Sequence, residues 1–302
     1  VHSSFYNSKF INNSAGKGGV TASLLGDNNL FIGNHAITRD VVVDGVYTGD
    51  GGVLFYTSTT DHIYSGNSFI GNHADWRGGA VFVDNNAVLT LNGSLFKENY
   101  SRNGGAISAG SGTTLTLDYT RFLSNYTQTT INDNVDDGGA ILSQGNLTIN
   151  HSSFESNSAT GTGARPETGA NAGAIWHGNG TLTLNSSVFK DNSAPELWAG
   201  AVNNTSNKGI FSLVSFEGNS ALTHAGALRI AGTSELYSST FYNNTAGNKG
   251  GAVLIDNGTG TFLGNVFSGN TADYGGAIYN NNGTLSVFLS SFHNNTGICL
   301  LY

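Results

Sequence analysis

The chain of 302 residues has no methionine, only two prolines and one cysteine, and just 11% of its residues are charged. A single cysteine excludes an internal disulfide framework. The scarcity of proline excludes a collagen-like chain, and no apolar run approaches the roughly 18 residues of a membrane-spanning helix. The net charge of −8 disfavours binding to nucleic acid or to an anionic membrane.

Glycine, asparagine, serine and threonine are abundant instead, with 43, 38, 32 and 30 copies. These residues favour turns and are poor helix formers, which makes a helical bundle hard to build. The 17 phenylalanines and 12 tyrosines still provide a hydrophobic core, and they exclude a disordered tail. We therefore expect a turn-rich, all-β protein.

Two short motifs alternate along the whole chain. The first is F-x-x-N, which begins at Phe10, Phe31, Phe69, Phe96, Phe122, Phe154, Phe189, Phe216, Phe241, Phe267 and Phe292. The second is G-G-A-[ILV] or a close variant, which begins at Gly18, Gly51, Gly78, Gly104, Gly138, Ala172, Ala199, Ala225, Gly250 and Gly275. The regular step is 25 to 27 residues, and the longer steps predict insertions near residues 35–50, 126–137 and 160–171.

Alternating runs such as Leu89-Thr90-Leu91 and Leu115-Thr116-Leu117 lie between the two motifs. Strict alternation marks a strand with one buried face. Each repeat therefore predicts three short strands joined by turns, with no helix between them. Stacked repeats of this kind form a single right-handed parallel β-helix, here of about ten coils, with residues 1–302 as one domain.

The motifs also predict where their side chains point. We expect the phenylalanines to stack inside the helix, and the asparagines to hydrogen-bond from coil to coil at a turn. After G-G-A the aliphatic residue is expected inside and the next residue outside. By the same alternation the alanines, for example Ala106, would lie outside in a stripe of small residues. That stripe would be either an interface or a by-product of the glycine turns.

The paired G-G-A-[ILV] and F-x-x-N motifs resemble the repeats of the polymorphic outer-membrane proteins. These are autotransported surface proteins whose passenger is a right-handed β-helix. The eleven F-x-x-N copies and ten glycine–alanine copies cover essentially the whole chain, and their alternation is more specific than either tetrapeptide. The resemblance implies an extracellular or cell-surface location and an adhesin-like role.

N-x-[ST] sequons are more frequent than the roughly 8 that the composition predicts. They predict a secreted glycoprotein with covalent N-glycans, although the repeat itself also places asparagine near serine and threonine. The 14 candidate sites are Asn12, Asn92, Asn99, Asn125, Asn146, Asn150, Asn179, Asn185, Asn203, Asn204, Asn243, Asn257, Asn282 and Asn294.

Candidates for chemistry are few, and we expect neither a catalytic residue nor a cofactor. Asp133, Asp136 and Asp137 form a weak calcium candidate, because several carboxylates lie close together in one predicted insertion. Polysaccharide hydrolases with this fold carry a set of short motifs, of which only Asp136-Asp137, His177-Gly178 and Arg229-Ile230 have partial counterparts here. A polysaccharide lyase or hydrolase is therefore the least favoured function.

Three further features each have a structural and a functional interpretation. His35 and His73 lie in matching F-I-G-N-H-A segments, so they would stack and could share a metal, or simply occupy surface turns. The tryptophans Trp76, Trp176 and Trp198 could stack on sugar rings or serve protein contacts. Cys299, in an apolar segment, is expected to be a packed thiol rather than a nucleophile.

The chain begins and ends within the repeat, and terminal strands of a β-helix expose unpaired backbone groups. Apolar residues near both ends predict head-to-tail assembly into a filament or surface layer: Val1, Phe5, Phe10, Phe292, Ile298, Leu300, Leu301 and Tyr302. This hypothesis makes the chain a non-enzymatic extracellular structural protein that is its own partner. The alternatives are an adhesin-like passenger that binds a host or matrix partner, and a fragment of a longer β-helix.

Overall fold

A computed structural model of the protein describes residues 4–21, 25–38, 49–129, 138–161, 172–195 and 198–298. These residues form 40 short strands and no helix, so none of them belongs to a helix that could cross a membrane. The strands pair in parallel and in register with the equivalent strands of neighbouring coils, in four sheets of 9 to 11 strands. The predicted parallel β-helix is confirmed.

We name the four sheets in the order in which a coil passes through them. The Phe sheet holds the F of F-x-x-N: Lys9–Ile11, Leu30–Ile32, Ser68–Ile70, Leu95–Lys97, Arg121–Leu123, Ser153–Glu155, Val188–Lys190, Ser215–Glu217, Thr240–Tyr242, Val266–Ser268 and Ser291–His293. The corner sheet follows the motif's asparagine: Ser14–Ala15, His35–Ala36, His73–Ala74, Tyr100–Ser101, Tyr126–Thr129, Ser158–Gly161, Ser193–Ala194, Ser220–Ala221, Thr245–Ala246, Thr271–Tyr274 and Thr296–Ile298.

Two further sheets complete the coil. The Ala sheet follows G-G-A: Leu54–Tyr56, Val81–Val83, Ile107–Ala109, Ile141–Ser143, Ile175–His177, Val202–Asn204, Leu228–Ile230, Val253–Asp256 and Ile278–Asn281. The Leu sheet holds the alternating runs: His62–Ser65, Val88–Asn92, Thr114–Asp118, Asn146–Asn150, Thr181–Asn185, Lys208–Ser212, Thr233–Tyr237, Thr259–Leu263 and Thr284–Phe288.

A complete coil therefore has four strands, not the three that were predicted. The missed strand is that of the corner sheet, which is often only two residues long, as in His73–Ala74. Two residues are too few to show an alternation that sequence reasoning can detect. The same omission made the predicted insertions too long, since His35–Ala36, Tyr126–Thr129 and Ser158–Gly161 are strands rather than insertion.

The phenylalanines of F-x-x-N form one continuous stack inside the helix, as predicted. Ten consecutive ring pairs, from Phe10 to Phe292, lie 4.5 to 5.1 Å apart between centroids and within 16° of parallel. The spacing is that of neighbouring strands, so each ring stacks directly on the ring of the next coil. From Phe31 to Phe267 the rings are fully buried. This stack is the main hydrophobic seam of the core.

The asparagines of F-x-x-N form the predicted ladder at the turn between the Phe and corner sheets. In each step the side-chain amide donates to the amide oxygen of the next asparagine, as from Asn192 Nδ2 to Asn219 Oδ1 at 2.9 Å. The same amide donates its other hydrogen to a phenylalanine carbonyl, here that of Phe154 at 3.0 Å. The ladder runs unbroken from Asn13 to Asn295. It satisfies the polar groups of a buried turn.

The alanines of G-G-A lie inside the helix, so the predicted outward stripe of small residues was wrong. Ala106 and Ile107 are consecutive, yet both are fully buried in the main core. The reason is the turn before them, because Gly104 has a φ of +64° and the strand alternation restarts after it. The second glycine, Gly105, is required by close approach, since a Cβ there would collide with the carbonyl oxygen of Gly139.

Ala106→Gln is therefore expected to lower the free energy of unfolding by about 1–3 kcal/mol, through overpacking and burial of an amide without a partner. Urea unfolding followed by circular dichroism measures the change. Thr116→Gln is the matched control, because Thr116 lies on the half-exposed outer side of the Leu sheet. Equal stabilities of the two variants would contradict the interior position of the alanine.

Candidate functional site

The three insertions all leave the β-helix at the same corner. Each lies between a corner-sheet strand and the Ala-sheet strand of one coil, and its described flanks are residues 38 and 49, 129 and 138, and 161 and 172. Residues that precede the Ala sheet pair in register from coil to coil, as Asp50 with Arg77 and Ala172 with Ala199. Because the coils are in register, the insertions are brought to one edge of the rod although they are far apart in sequence.

The surface next to this edge is the outer side of the Ala sheet, which we call the insertion face. Its members are consecutive partners in the sheet: Phe55, Phe82, Ser108, Leu142, Trp176, Asn203, Arg229, Leu254 and Tyr279. These side chains point away from the interior, as predicted, but none is fully exposed and most are buried. By contrast, the outward threonines of the Leu sheet, such as Thr90 and Thr148, are half-exposed.

Burial on this face changes the interpretation of the tryptophans. Trp176 is only 6% exposed and packs in a second apolar cluster with Leu142, Ala172 and Ala199. A ring buried in this way has no open face to stack on a sugar. Of the two roles left open for Trp176, stacking on a sugar is therefore excluded, because outward direction in a strand does not imply exposure when other residues cover the sheet.

A charged cluster lies towards the C-terminal end of the face, around its seventh member, Arg229. Arg229 Nε donates to Asp256 Oδ2 at 3.1 Å, and Arg229 Nη1 donates to Asn203 Oδ1 at 3.1 Å. The guanidinium lies 4.6 Å from the ring centre of Trp198, which in turn stacks on His224. Burial by itself raises the pKa of the Asp256 carboxyl, but its hydrogen bonds with Arg229 and Asn281, together with the Arg229 charge, outweigh burial and hold the pKa below its usual value. Asp256 is thus a stable anion in this cluster.

Five buried polar atoms on or beside the insertion face have no hydrogen-bond partner among the residues that the structure describes: Trp176 Nε1, Trp198 Nε1, Asn203 Nδ2, His224 Nδ1 and Asn248 Oδ1. Burial also lowers the pKa of His224, which favours its neutral form. Buried polar groups in folded proteins are nearly always paired, so a group of unpaired ones distinguishes this part of the face from the rest of the sheet. Sequence reasoning missed this cluster, because its members come from strands and turns of different coils.

The partial hydrolase motifs do not come together among the described residues. His177 lies inside the helix, fully buried, and burial lowers the pKa of its ring to about 4. Arg229 is on the outer side of the same sheet, two strands away and bonded to Asp256. Asp136 and Asp137 lie outside the described residues, as does the third member of the calcium candidate, Asp133.

The sequons divide into accessible and buried positions. Eight asparagines are exposed: Asn12, Asn92, Asn146, Asn179, Asn243, Asn257, Asn282 and Asn294. Asn150 and Asn185 are half-buried, and Asn185 Nδ2 donates to Asn150 Oδ1. The other four, Asn99, Asn125, Asn203 and Asn204, are fully buried. Asn99 and Asn125 are ladder residues, so a glycan on either would remove a hydrogen bond of the core.

The predicted histidine pair does stack, with the ring centroids of His35 and His73 4.2 Å apart. At the chain ends, Phe5 contacts Phe10 edge to face at 4.9 Å, and Phe10 is half-buried. Phe292 is 45% and Ile298 58% exposed. The other predicted end residues, Val1, Leu300, Leu301 and Tyr302, lie outside the described residues, and so does Cys299.

Comparison with known protein families gives one match. The Chlamydia polymorphic membrane protein repeat matches residues 238–256 and 266–281. Each matched segment contains one F-x-x-N and one G-G-A motif, so the resemblance inferred from these motifs is confirmed there. The match supports a cell-surface location in broad terms. No curated protein and no solved structure matches the chain.

Proposed function

We propose that this chain is a non-enzymatic β-helical passenger at a cell surface, and that its insertion face binds a protein of a host cell or its matrix. The repeat match supports the surface location and the adhesin-like class. The observation that carries the proposal is the convergence of three separate insertions on one edge of an otherwise regular rod. Binding residues are commonly placed on loops that a rigid scaffold positions.

A protein partner fits this face better than a polysaccharide does. The outward tryptophan of this sheet, Trp176, is buried, so it cannot stack on a sugar ring. Aromatic and arginine side chains, here Trp198 and Arg229, are enriched in the centres of protein interfaces.

The test is to remove the insertions without altering the coils. In one regular coil only residues 102–103 separate Ser101 from Gly104, so each of the segments 39–48, 130–137 and 162–171 can be replaced by two residues. Beads coated with the intact chain are expected to adhere to cultured cells. The number of adhering beads should be at least about tenfold lower for the shortened chain. Protease treatment of the cells should abolish adhesion if the partner is a protein.

The matched control carries Thr90→Lys and Thr148→Lys on the outer side of the Leu sheet, and it should adhere like the intact chain. Circular dichroism verifies that all variants keep their β structure. Adhesion that is unchanged in the shortened chain would overturn the assignment of the insertion face. Adhesion that survives protease but is lost after removal of cell-surface glycans would overturn the protein partner.

A self-assembling filament subunit is the second candidate, and the last described coil favours it. Side chains of this coil that continue the interior columns are exposed, with Phe292 at 45% and Val287 at 38%. Together with Ile278, Leu285 and Gly297 they line an open groove of about 460 Å³. The first coil of a second copy can extend the Phe stack and the asparagine ladder across this groove.

Analytical ultracentrifugation tests the filament. We expect the sedimentation coefficient of the intact chain to rise with concentration, and Val287→Lys to prevent the rise by placing a charge in the groove. Thr261→Lys, on the outer side of the neighbouring strand, is the control. A chain that stays monomeric at all concentrations would contradict this candidate.

N-glycosylation stays a prediction, and the structure limits where glycans can attach. If the chain is secreted through a pathway that adds N-glycans, we expect its mass to fall on treatment with peptide N-glycosidase. Peptide mapping should then locate the occupied sites among the eight exposed sequons, and Asn99 and Asn125 should be unmodified. An unchanged mass, or a glycan on a ladder asparagine of the folded chain, would contradict this prediction.

A further inference from the structure

Two histidines and one aspartate meet where the first insertion leaves the rod. His35 Nε2 lies 2.7 Å and His73 Nε2 lies 3.5 Å from the same oxygen, Oδ1 of Asp75. The three ligand-type atoms all lie within 4.8 Å of one another, and all three residues are half-buried. Among the described residues this is the one group of three histidine, cysteine or acidic side chains with such spacing.

These distances suit a transition-metal ion. A tetrahedral zinc with bonds of about 2.0–2.1 Å places neighbouring ligand atoms about 3.3 Å apart, which lies between the two observed distances to Asp75 Oδ1. Two imidazole nitrogens and one carboxylate oxygen form a ligand set preferred by Zn²⁺, and also accepted by Ni²⁺ and Cu²⁺. A calcium ion would require six or more oxygens, which this cluster does not offer.

The surroundings hold the ligands in place. The Thr38 backbone N–H donates to the second carboxylate oxygen, Asp75 Oδ2, at 2.7 Å, which fixes the orientation of the carboxylate. His73 is stacked between His35 and Tyr100, with ring centroids 4.2 and 4.0 Å away.

We propose that His35, His73 and Asp75 form a binding site for one divalent transition-metal ion, with Zn²⁺ as the favoured occupant. The two rings are stacked within 16° of parallel, so binding requires them to tilt until both Nε2 atoms point at one ion. Both ring edges already face the same oxygen, so the tilt is a local side-chain change. The remaining coordination position is left for water or for a group of a partner.

The site would tie neighbouring coils together at the root of an insertion. His35 and His73 are partners in the corner sheet, and residue 38, which contacts Asp75, is the last described residue before the insertion at 39–48. On the other flank, the Trp76 N–H donates to the carbonyl oxygen of Gly49 at 2.9 Å. A bound ion would therefore stabilise both flanks of the insertion, independently of whether the insertion face binds a partner.

Isothermal titration of the intact, untagged chain with ZnCl₂ in metal-free buffer at pH 7.5 tests the site. We expect one ion per chain with a Kd of about 10 µM or tighter, and a loss of at least about tenfold in affinity for His35→Asn and for His73→Asn. Zinc at 1 mM should also raise the melting temperature of the intact chain by several degrees, but not that of either variant.

His151→Asn is the matched control, because His151 also faces one carboxylate, with 3.3 Å between its Nδ1 and Asp118 Oδ1, but no second histidine joins them among the described residues. This variant should bind zinc like the intact chain. Circular dichroism of the metal-free proteins verifies that all variants are folded. The proposal is overturned if 1 mM zinc does not bind, if binding survives in the His35→Asn/His73→Asn double variant, or if His151→Asn abolishes it.

Discussion

Phe241→Ala is expected to lower the free energy of unfolding by about 3–5 kcal/mol. The ring of Phe241 is fully buried and stacks on Phe216 and Phe267, with centroids 4.8 and 4.7 Å away. Alanine leaves a cavity that cannot close, because the rings above and below are held at the strand spacing by the sheet. Urea unfolding followed by circular dichroism measures the loss.

Tyr242→Ala is the matched control on the same strand. Tyr242 is another large aromatic residue, but its side chain is 41% exposed and lies on the outer side of the Phe sheet. Its removal should cost about 1 kcal/mol or less. Because a repeat protein is stabilised by contacts between neighbouring coils, hydrogen exchange in Phe241→Ala should rise first in the coils around it. Equal losses of unfolding free energy in the two variants would contradict the interpretation that the Phe stack stabilises the core.

Features that repeat in every coil could be predicted from the sequence. The Phe stack and the asparagine ladder follow from one fact, namely that a parallel β-helix brings equivalent positions of consecutive coils to the strand spacing. Phe189 and Phe216 are 27 residues apart, yet they pair directly in the Phe sheet. A motif that recurs at a constant spacing therefore predicts the fold, the register between strands and the stacks of inward-facing side chains.

Features that depend on a single turn could not be predicted in this way. The alternation of inward and outward residues assumes continuous extended backbone, and Gly104 interrupts it with a positive φ. For this reason Ala106 was placed outside although it is in the core. The corner sheet was missed because a strand such as Ser220–Ala221 is too short to show any period.

The candidate sites depend on contacts between residues of different coils that do not recur along the repeat. His35 and His73 could be paired in advance because they occupy the same repeat position. Asp75 could not be added to them, since its carboxylate is turned towards the two rings by the backbone of Thr38, a contact between two different coils. The burial of Trp176 has the same origin, because exposure depends on what covers a strand and not on the strand itself.

Asn219→Ala is expected to destabilise the protein about as much as the loss of a core ring, although it removes only one small polar side chain. Asn219 Oδ1 accepts from the Asn192 backbone N–H at 3.0 Å and from Asn192 Nδ2 at 2.9 Å. Its own amide donates to the Phe189 carbonyl at 2.9 Å and to Asn244 Oδ1 at 2.9 Å. All of these groups are buried, and the alanine side chain has no polar atom to replace the lost hydrogen bonds.

The expected loss is about 4–6 kcal/mol in the free energy of unfolding. The Asn192 N–H is left buried without an acceptor, at a cost of about 1–3 kcal/mol, and each of the other three lost bonds contributes about 1 kcal/mol. Ser220→Ala is the control, since Ser220 is the next residue but its side chain is exposed, and a change within about 0.5 kcal/mol is expected there. If Asn219→Ala unfolds at the same urea concentration as Ser220→Ala, water replaces the missing amide and the ladder serves to set the register of the turns rather than to stabilise them.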